Sequence, residues 1–154
     1  MQAHEVMTPY ANCCVPSSSA RMASRLMKQF QVGILPVIDD HSSHKLVGVV
    51  TDRDLCVRAL ASTDNPGDVP VEICMTANPA YCTPETDVRK VLALMAIRRV
   101  HRIPVVDHEN RVKGMISIDD LIRHEAVATN HICLALRRIA TPPKPRLKGR
   151  AAGI

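Results

Sequence analysis

Aromatic side chains are nearly missing from this chain: 154 residues hold no tryptophan, one phenylalanine and two tyrosines, 2% in all. Binding of single-stranded nucleic acid by stacking bases on rings is thereby close to excluded, and a core must be assembled from Val, Ile, Leu, Met and Ala. No apolar run approaches the ~20 residues of a bilayer-spanning helix, so no membrane span is expected. No export signal follows Met1, which makes the cytoplasm the expected location. The six cysteines (Cys13, Cys14, Cys56, Cys74, Cys82, Cys133) contain no C-x-x-C pair and read as reduced thiols, several at core positions. A Gly-rich phosphate loop, a Ser-His-Asp signature and zinc-ligand spacing are also lacking, so neither an enzyme nor a metal protein is expected. Adjacent Cys13 and Cys14 read as two unrelated thiols. His124 and His131, with Cys133, would approach a metal only across a dimer, and only on an unbroken helix.

The net charge of +5 is local. Arg137, Arg138, Lys144, Arg146, Lys148 and Arg150 follow Glu125 with no acid after it; without these six, residues 1–136 carry −1. The basic character belongs to the end of the chain, where Thr141 to Ile154 lacks apolar periodicity and reads as a solvated, disordered tail. Nucleic acid is therefore not expected as the main partner.

What the chain does hold is a repeat. At an offset of 68 residues, Met7-Thr8 falls on Met75-Thr76, Cys14 on Cys82, Arg21 on Arg89, Leu26-Met27 on Leu94-Met95 and Pro36-Val37 on Pro104-Val105. After a two-residue slip at His41 to Lys45, Gly48 falls on Gly114 and Asp54-Leu55 on Asp120-Leu121. A unit this short cannot bury its apolar face alone, so any ligand should sit between or beside the two halves.

Each half reads β-α-β-β-α. In the first, Ala11 to Val15 is extended. Ser17 to Ser19 supply cap hydroxyls for a helix to about Gln31, with Ala23, Leu26, Met27 and Phe30 as its stripe and Gly33 as its stop. Ile34 to Ile38 and Leu46 to Val50 are strands, and Thr51 opens a helix to about Ala61. The second half repeats this with a strand at Tyr81-Cys82, a helix from Asp87 to about Arg99 that buries Val88, Val91, Leu92 and Met95, strands at Ile103 to Val106 and Val112 to Ile116, and a helix from Ser117 through Ala128.

Three marks recur in order: a Met-Thr opening, the strands Leu35-Pro36-Val37-Ile38-Asp39 and Ile103-Pro104-Val105-Val106-Asp107, and a closing Gly-x-x-Ser/Thr-x-x-Asp at Gly48–Asp54 and Gly114–Asp120. Their order resembles the cystathionine β-synthase (CBS) domain, which occurs as tandem pairs. The resemblance covers Glu5 to about Arg58 and Glu72 to about Glu125. It implies an α/β fold of two β-α-β-β-α repeats packed about a pseudo-two-fold axis, a Bateman module. The expected division is a first repeat over 5–62, a linker over 63–71, a second repeat over 72–128, and a C-terminal helix with the basic tail over 129–154.

In that family the closing motif binds the ribose of an adenine nucleotide. An aspartate such as Asp54 or Asp120 can accept from both ribose hydroxyls, beside the hydroxyl of Thr51 or Ser117. The adenine would lie against apolar side chains near Leu35-Pro36 or Ile103-Pro104. Against this stands a simpler reading: Thr51-x-x-Asp54 and Ser117-x-x-Asp120 are also capping boxes, whose ~1 kcal/mol explains both without a ligand. The halves differ, because Arg53, which could fork onto a phosphate, is matched by Asp119, and Gly33 is matched by His101. Arg102 and His101 are candidates to offset Asp119; Arg53 and Arg102 also read as plain surface cations. The Asp54 site is thus expected to be the better phosphate binder.

The resemblance implies a non-catalytic regulatory module whose ligand is AMP, ADP, ATP, NAD or S-adenosylmethionine, an adenine nucleotide acting as regulator with no cofactor required. Like the small stand-alone bacterial CBS pairs, some of them stress-response proteins, it implies a disc-like homodimer and an effector protein. The alternative is an adaptor for protein or nucleic acid that uses the same scaffold with the basic tail.

Overall fold

The structure, a computed structural model, describes residues 1–141. The tail expected beyond Thr141 lies outside the described residues. In chain order the elements are α1 (Ala3–Val6), β1 (Thr8–Pro9), α2 (Ala20–Phe30), β2 (Ile34–Ile38), β3 (Leu46–Thr51), α3 (Asp52–Asp54), α4 (Val71–Cys74), β4 (Thr76–Ala77), α5 (Val88–Arg98), β5 (Arg102–Val106), β6 (Val112–Ser117), α6 (Ile118–Arg123) and α7 (Thr129–Ala140). A π-helical segment, Leu55–Leu60, continues α3, and a 3-10 turn at Pro66–Asp68 precedes α4. The chain is a mixed α/β fold with two three-stranded antiparallel sheets, ordered β1-β6-β5 and β2-β3-β4.

The strand orders reveal an exchange between the repeats. The opening strand of the first repeat, β1, pairs with β6 of the second (Thr8 with Met115), and β4 of the second pairs with β3 of the first (Thr76 with Val49). The opening helices follow. Ala3 and Val6 of α1 are buried in the core of the second repeat with Val91, Met95 and Ile116, whereas Val71 and Cys74 of α4 lie in the core of the first with Ala23, Leu35 and Val50. The Ala3 and His4 amides donate to the Thr86 and Pro84 carbonyls (2.9 and 3.0 Å), as the Val71 and Glu72 amides donate to those of Ser18 and Pro16 (2.8 and 3.0 Å).

The glycine of each closing motif serves this exchange. A Cβ at Gly114 would stand 2.4 Å from the Thr8 carbonyl oxygen, and one at Gly48 would meet Met75 Sδ at 2.7 Å and the Thr76 carbonyl at 3.1 Å. At Gly114 only a residue without a side chain lets the borrowed strand approach, since the atom met is backbone. The hairpin loops join the repeats at another point: the Leu46 amide donates to the Asn110 carbonyl (2.9 Å) and the Asn110 side chain to the Leu46 carbonyl (3.0 Å). The aspartate ending each Pro-Val strand closes its hairpin. Asp39 accepts from Ser43 Oγ and the Lys45 amide, and Asp107 from the Glu109 and Arg111 amides. These bonds, led by the Ser43 hydroxyl for Asp39 and the Arg111 amide for Asp107, hold both carboxyls below their ordinary pKa.

Local signals set the helix starts. Ser19 Oγ accepts from the Met22 amide and Asp87 Oδ1 from the Arg89 amide. The stops are different. Gly33 does not end α2; Gln31 does, in the left-handed region at φ 53°, and Arg99 ends α5 likewise at φ 57°. Such residues recur at matched places, Tyr10 with Asn78 and His44 with Asn110. Phe30, expected in the α2 stripe, is 41% exposed, because the stripe buries Ala20, Ala23 and Met27 instead. The helix expected through Ala128 breaks at His124, where Glu125 takes φ 49°. His131 therefore belongs to a separate helix, α7, which packs on α5, and the single helix face required for a His124–His131 metal pair does not exist.

Gln31→Gly should raise stability, since a left-handed L-residue costs about 1 kcal/mol that glycine avoids. Thermal unfolding checks this: Tm is expected to rise by about 2–4 °C, and an unchanged or lower value contradicts it.

Candidate nucleotide clefts between the repeats

The closing motif is a strand-to-helix corner in both halves. At the first, the Thr51 amide and hydroxyl both donate to Asp54 Oδ2 (3.0 and 2.8 Å), and the Asp54 amide donates back to Thr51 Oγ1 (3.1 Å). The second is equivalent: the Ser117 amide and hydroxyl donate to Asp120 Oδ2 (2.9 and 2.6 Å), and the Asp120 amide to Ser117 Oγ (3.1 Å). The capping boxes are therefore both real, and each engages Oδ2. The other oxygen faces an arginine one turn on. Asp54 Oδ1 lies 3.6 Å from Arg58 Nε, beyond hydrogen-bond length, whereas Asp120 Oδ1 accepts from Arg123 Nη1 at 3.2 Å.

Each corner opens into a cleft walled by the other repeat. The larger, of about 550 Å³, brings Thr51, Arg53 and Asp54 together with Gly33 on one side and His101, Arg102, Ile103 and Pro104 on the other. The smaller, of about 280 Å³, brings Ser117 and Asp120 together with Leu35 and Pro36, and Arg102 reaches this cleft too. All twelve residues singled out from sequence thus line a cleft, but in two sets. Both sets are composite, because each aspartate faces the other repeat's Pro-Val strand. Gly33 and His101 occupy equivalent places: the Gly33 carbonyl accepts from the Asp52 amide (3.1 Å) and the His101 carbonyl from the Ile118 amide (3.0 Å). His101 lines the larger cleft, whereas Asp119 lines the smaller.

The charges differ sharply. The larger cleft carries Arg53, Arg98, Arg99 and Arg102 against Asp52 and Asp54. The smaller carries Arg102 and Arg123 against Asp119 and Asp120, with Arg102 Nη2 3.5 Å from Asp119 Oδ2. A phosphate meets excess positive charge in the first and a balanced pair in the second.

Sequence reasoning missed a third wall of each cleft. Thr76, Asn78 and Ala80 line the larger one, and Thr8, Tyr10 and Asn12 the smaller. These lie in or just after the exchanged strands β4 and β1. The signal available was the Met-Thr opening itself, whose place in a repeat's fold depends on pairing with the other repeat.

The cysteines stand apart from this chemistry. All six are free. Burial pushes the Cys13 thiol up to about 11 and those of Cys14 and Cys82 to about 12, so none of the three is a thiolate nucleophile at neutral pH. Cys14 and Cys82 fill matched core positions, each bridged in parallel to the valine of a Pro-Val strand. Among the described residues, no group of three or more His, Cys, Asp or Glu is placed to hold a metal ion, and no helix is long and apolar enough to cross a membrane.

An α/β pair of repeats with exchanged opening strands and a composite cleft at each Ser/Thr-x-x-Asp corner is the architecture of a Bateman module. The CBS domain family model matches residues 3–60 and 67–126, and the chain belongs to that family. It is 33% identical over 117 residues to the uncharacterized protein YlbB of Bacillus subtilis, covering 76% of this chain and 77% of that protein. Among solved structures, CBSX2 in complex with AMP aligns with a TM-score of 0.71 at 26% identity, over 80% of this chain and 95% of that one. The CBS pair of protein MJ0100 in complex with 5′-methylthioadenosine and S-adenosylmethionine aligns with a TM-score of 0.67 at 25% identity, over 81% and 95%.

Proposed function

We propose that this CBS pair is a non-catalytic regulatory module that binds an adenine nucleotide in the Asp54 cleft. The observation that carries the reading is the make-up of that cleft: a carboxylate at a Thr-x-x-Asp corner, in a space of about 550 Å³ shared by both repeats, with four arginines around it. Capping and ribose binding are compatible there. Oδ2 of Asp54 serves the cap, and Oδ1 has no hydrogen bond at contact distance, leaving acceptor capacity for a ribose diol. The side chain of Asp54 is also more open than that of Asp120, 15% against 8%. Arg53, Arg99 and Arg102 would take the phosphate. The AMP complex of CBSX2 and the adenosine-ligand complex of MJ0100 support the ligand class.

A ligand that touches both repeats favours one inter-repeat arrangement by its differential affinity, and an effector protein reads that arrangement. A homodimer suits the same view, since Met22, Val57, Leu60 and Ile97 stand exposed on helical segments. Free thiols suit a reducing cytoplasm.

A thermal-shift panel tests this. AMP, ADP and ATP should each stabilise the wild type, by about 2.7 kcal/mol at a hundredfold excess over Kd, and adenosine should do less. Asp54→Ala should lose about 1 kcal/mol without ligand through its cap, so its nucleotide increment is measured from its own baseline and should vanish. Absence of stabilisation by any of the three at millimolar concentration overturns the proposal.

A further inference from the structure

We infer that Arg102 couples the two clefts, so that a phosphate held in the Asp54 cleft makes the Asp120 cleft a site for an uncharged or cationic adenosine compound. This rests on the adenosine reading given above.

Arg102 lines both clefts. Its guanidinium is paired with Asp119 of the smaller cleft at 3.5 Å, with side chains 43% and 68% exposed. So open a pair is screened by water and contributes little, so it exchanges readily. A phosphate in the larger cleft is the stronger partner, because it offers a guanidinium a bidentate, doubly charged acceptor. Arg102 cannot serve Asp119 and that phosphate with the same hydrogen bonds. When it turns to the phosphate, Asp119 and Asp120 are left facing only Arg123 within the smaller cleft's lining. The sign of that cleft changes from balanced to negative. A second phosphate is then repelled, and a positive group on a nucleoside is drawn in.

Size and surface agree with this division. At about 280 Å³ the smaller cleft has half the room of the larger, at the lower limit of small-molecule sites, which suits a nucleoside without a phosphate chain. Tyr10 stands at its edge, 92% exposed and held at φ 54°. The equivalent residue in the larger cleft is Asn78. An exposed ring there offers a face to a base or to a cation, and neither needs a counter-charge. The two clefts thus differ in charge, size and surface, and one arginine links them.

The coupling is reciprocal by linkage, which makes it measurable from either side. Calorimetric titration at low ionic strength would use AMP and 5′-amino-5′-deoxyadenosine, which share base and sugar but carry opposite charge at the 5′ position. In the wild type, saturation with AMP should tighten the amino nucleoside about fivefold, the modest end of allosteric couplings, and a second AMP should bind more weakly than the first by a similar factor. Arg102→Gln should weaken AMP and bring the coupling factor to one. Asp119→Asn, which removes the competitor for Arg102, should tighten AMP and also reduce the coupling. Independent binding of the two ligands to wild type, or coupling that survives in Arg102→Gln, overturns this inference while leaving the adenosine reading intact. Binding of neither ligand to wild type removes the adenosine reading itself.

Discussion

Val6→Asp is expected to unfold the second repeat first, although residue 6 belongs to the first. Val6 is 3% exposed and packs in one core with Val91, Met95 and Ile116. A carboxylate there has no partner, and burying it costs on the order of 4 kcal/mol, through protonation or through expulsion of α1. Val71→Asp is the reciprocal case. Residue 71, fully buried among Ala23, Leu35 and Val50, should loosen the first repeat by a similar amount. Native-state hydrogen exchange distinguishes the two. In Val6→Asp the amides of β5 and β6 should lose protection before those of β2 and β3, and in Val71→Asp the order should reverse. If each variant exposed the strands of its own repeat first, the exchange of opening segments would be refuted.

Gly114→Ala should destabilise the protein by about 3 kcal/mol, the upper end of the range for overpacking, with a Tm fall of about 10 °C. The added methyl would meet the Thr8 carbonyl oxygen at 2.4 Å and Pro9 Cα at 3.2 Å. Both are backbone atoms of β1, so no rotamer relieves the contact. The strand must withdraw from β6, breaking the Tyr10 amide bond to the Lys113 carbonyl (3.0 Å). Gly48→Ala is the internal control. Its closest contact, 2.7 Å, is the thioether of Met75, which can swing aside, leaving the Thr76 carbonyl at 3.1 Å; about 1 kcal/mol is expected, as for a mild overpacking. Chemical denaturation of both variants checks the order, and equal losses would show that the backbone contact at Gly114 is not what sets the cost.

The parts of the fold that were legible in the sequence are those decided within a few residues. Ser19 and Asp87 cap the long helices because a short side-chain oxygen beside a free amide works in any context. The Pro-Val runs are strands because a short β-branched apolar segment buries well in a sheet. The Thr51–Asp54 and Ser117–Asp120 corners were visible for the same reason, as capping boxes with an acid in reach of a cleft. Where legibility failed, the deciding partner was distant or the usual local mark was absent. Gln31 and Arg99 end their helices without glycine. The break at His124 carries no Gly or Pro, and beyond it α7 packs on α5 of the same repeat, a contact no local signal announces.

By itself, the sequence determined two copies of one α/β unit, the identity of the aspartate corners and the neutrality of the body, since repetition, capping and charge are properties of short stretches. Only the tertiary structure decided that each repeat lends its opening helix and strand to the other, which of the twelve candidate residues share a cleft, and that Arg102 belongs to both. Two-residue strands carry too little local preference to choose a partner. Their pairing depends on burying Val6 and Val71 in the core of the other repeat, among residues distant in sequence, and that energy exists only once the halves have met.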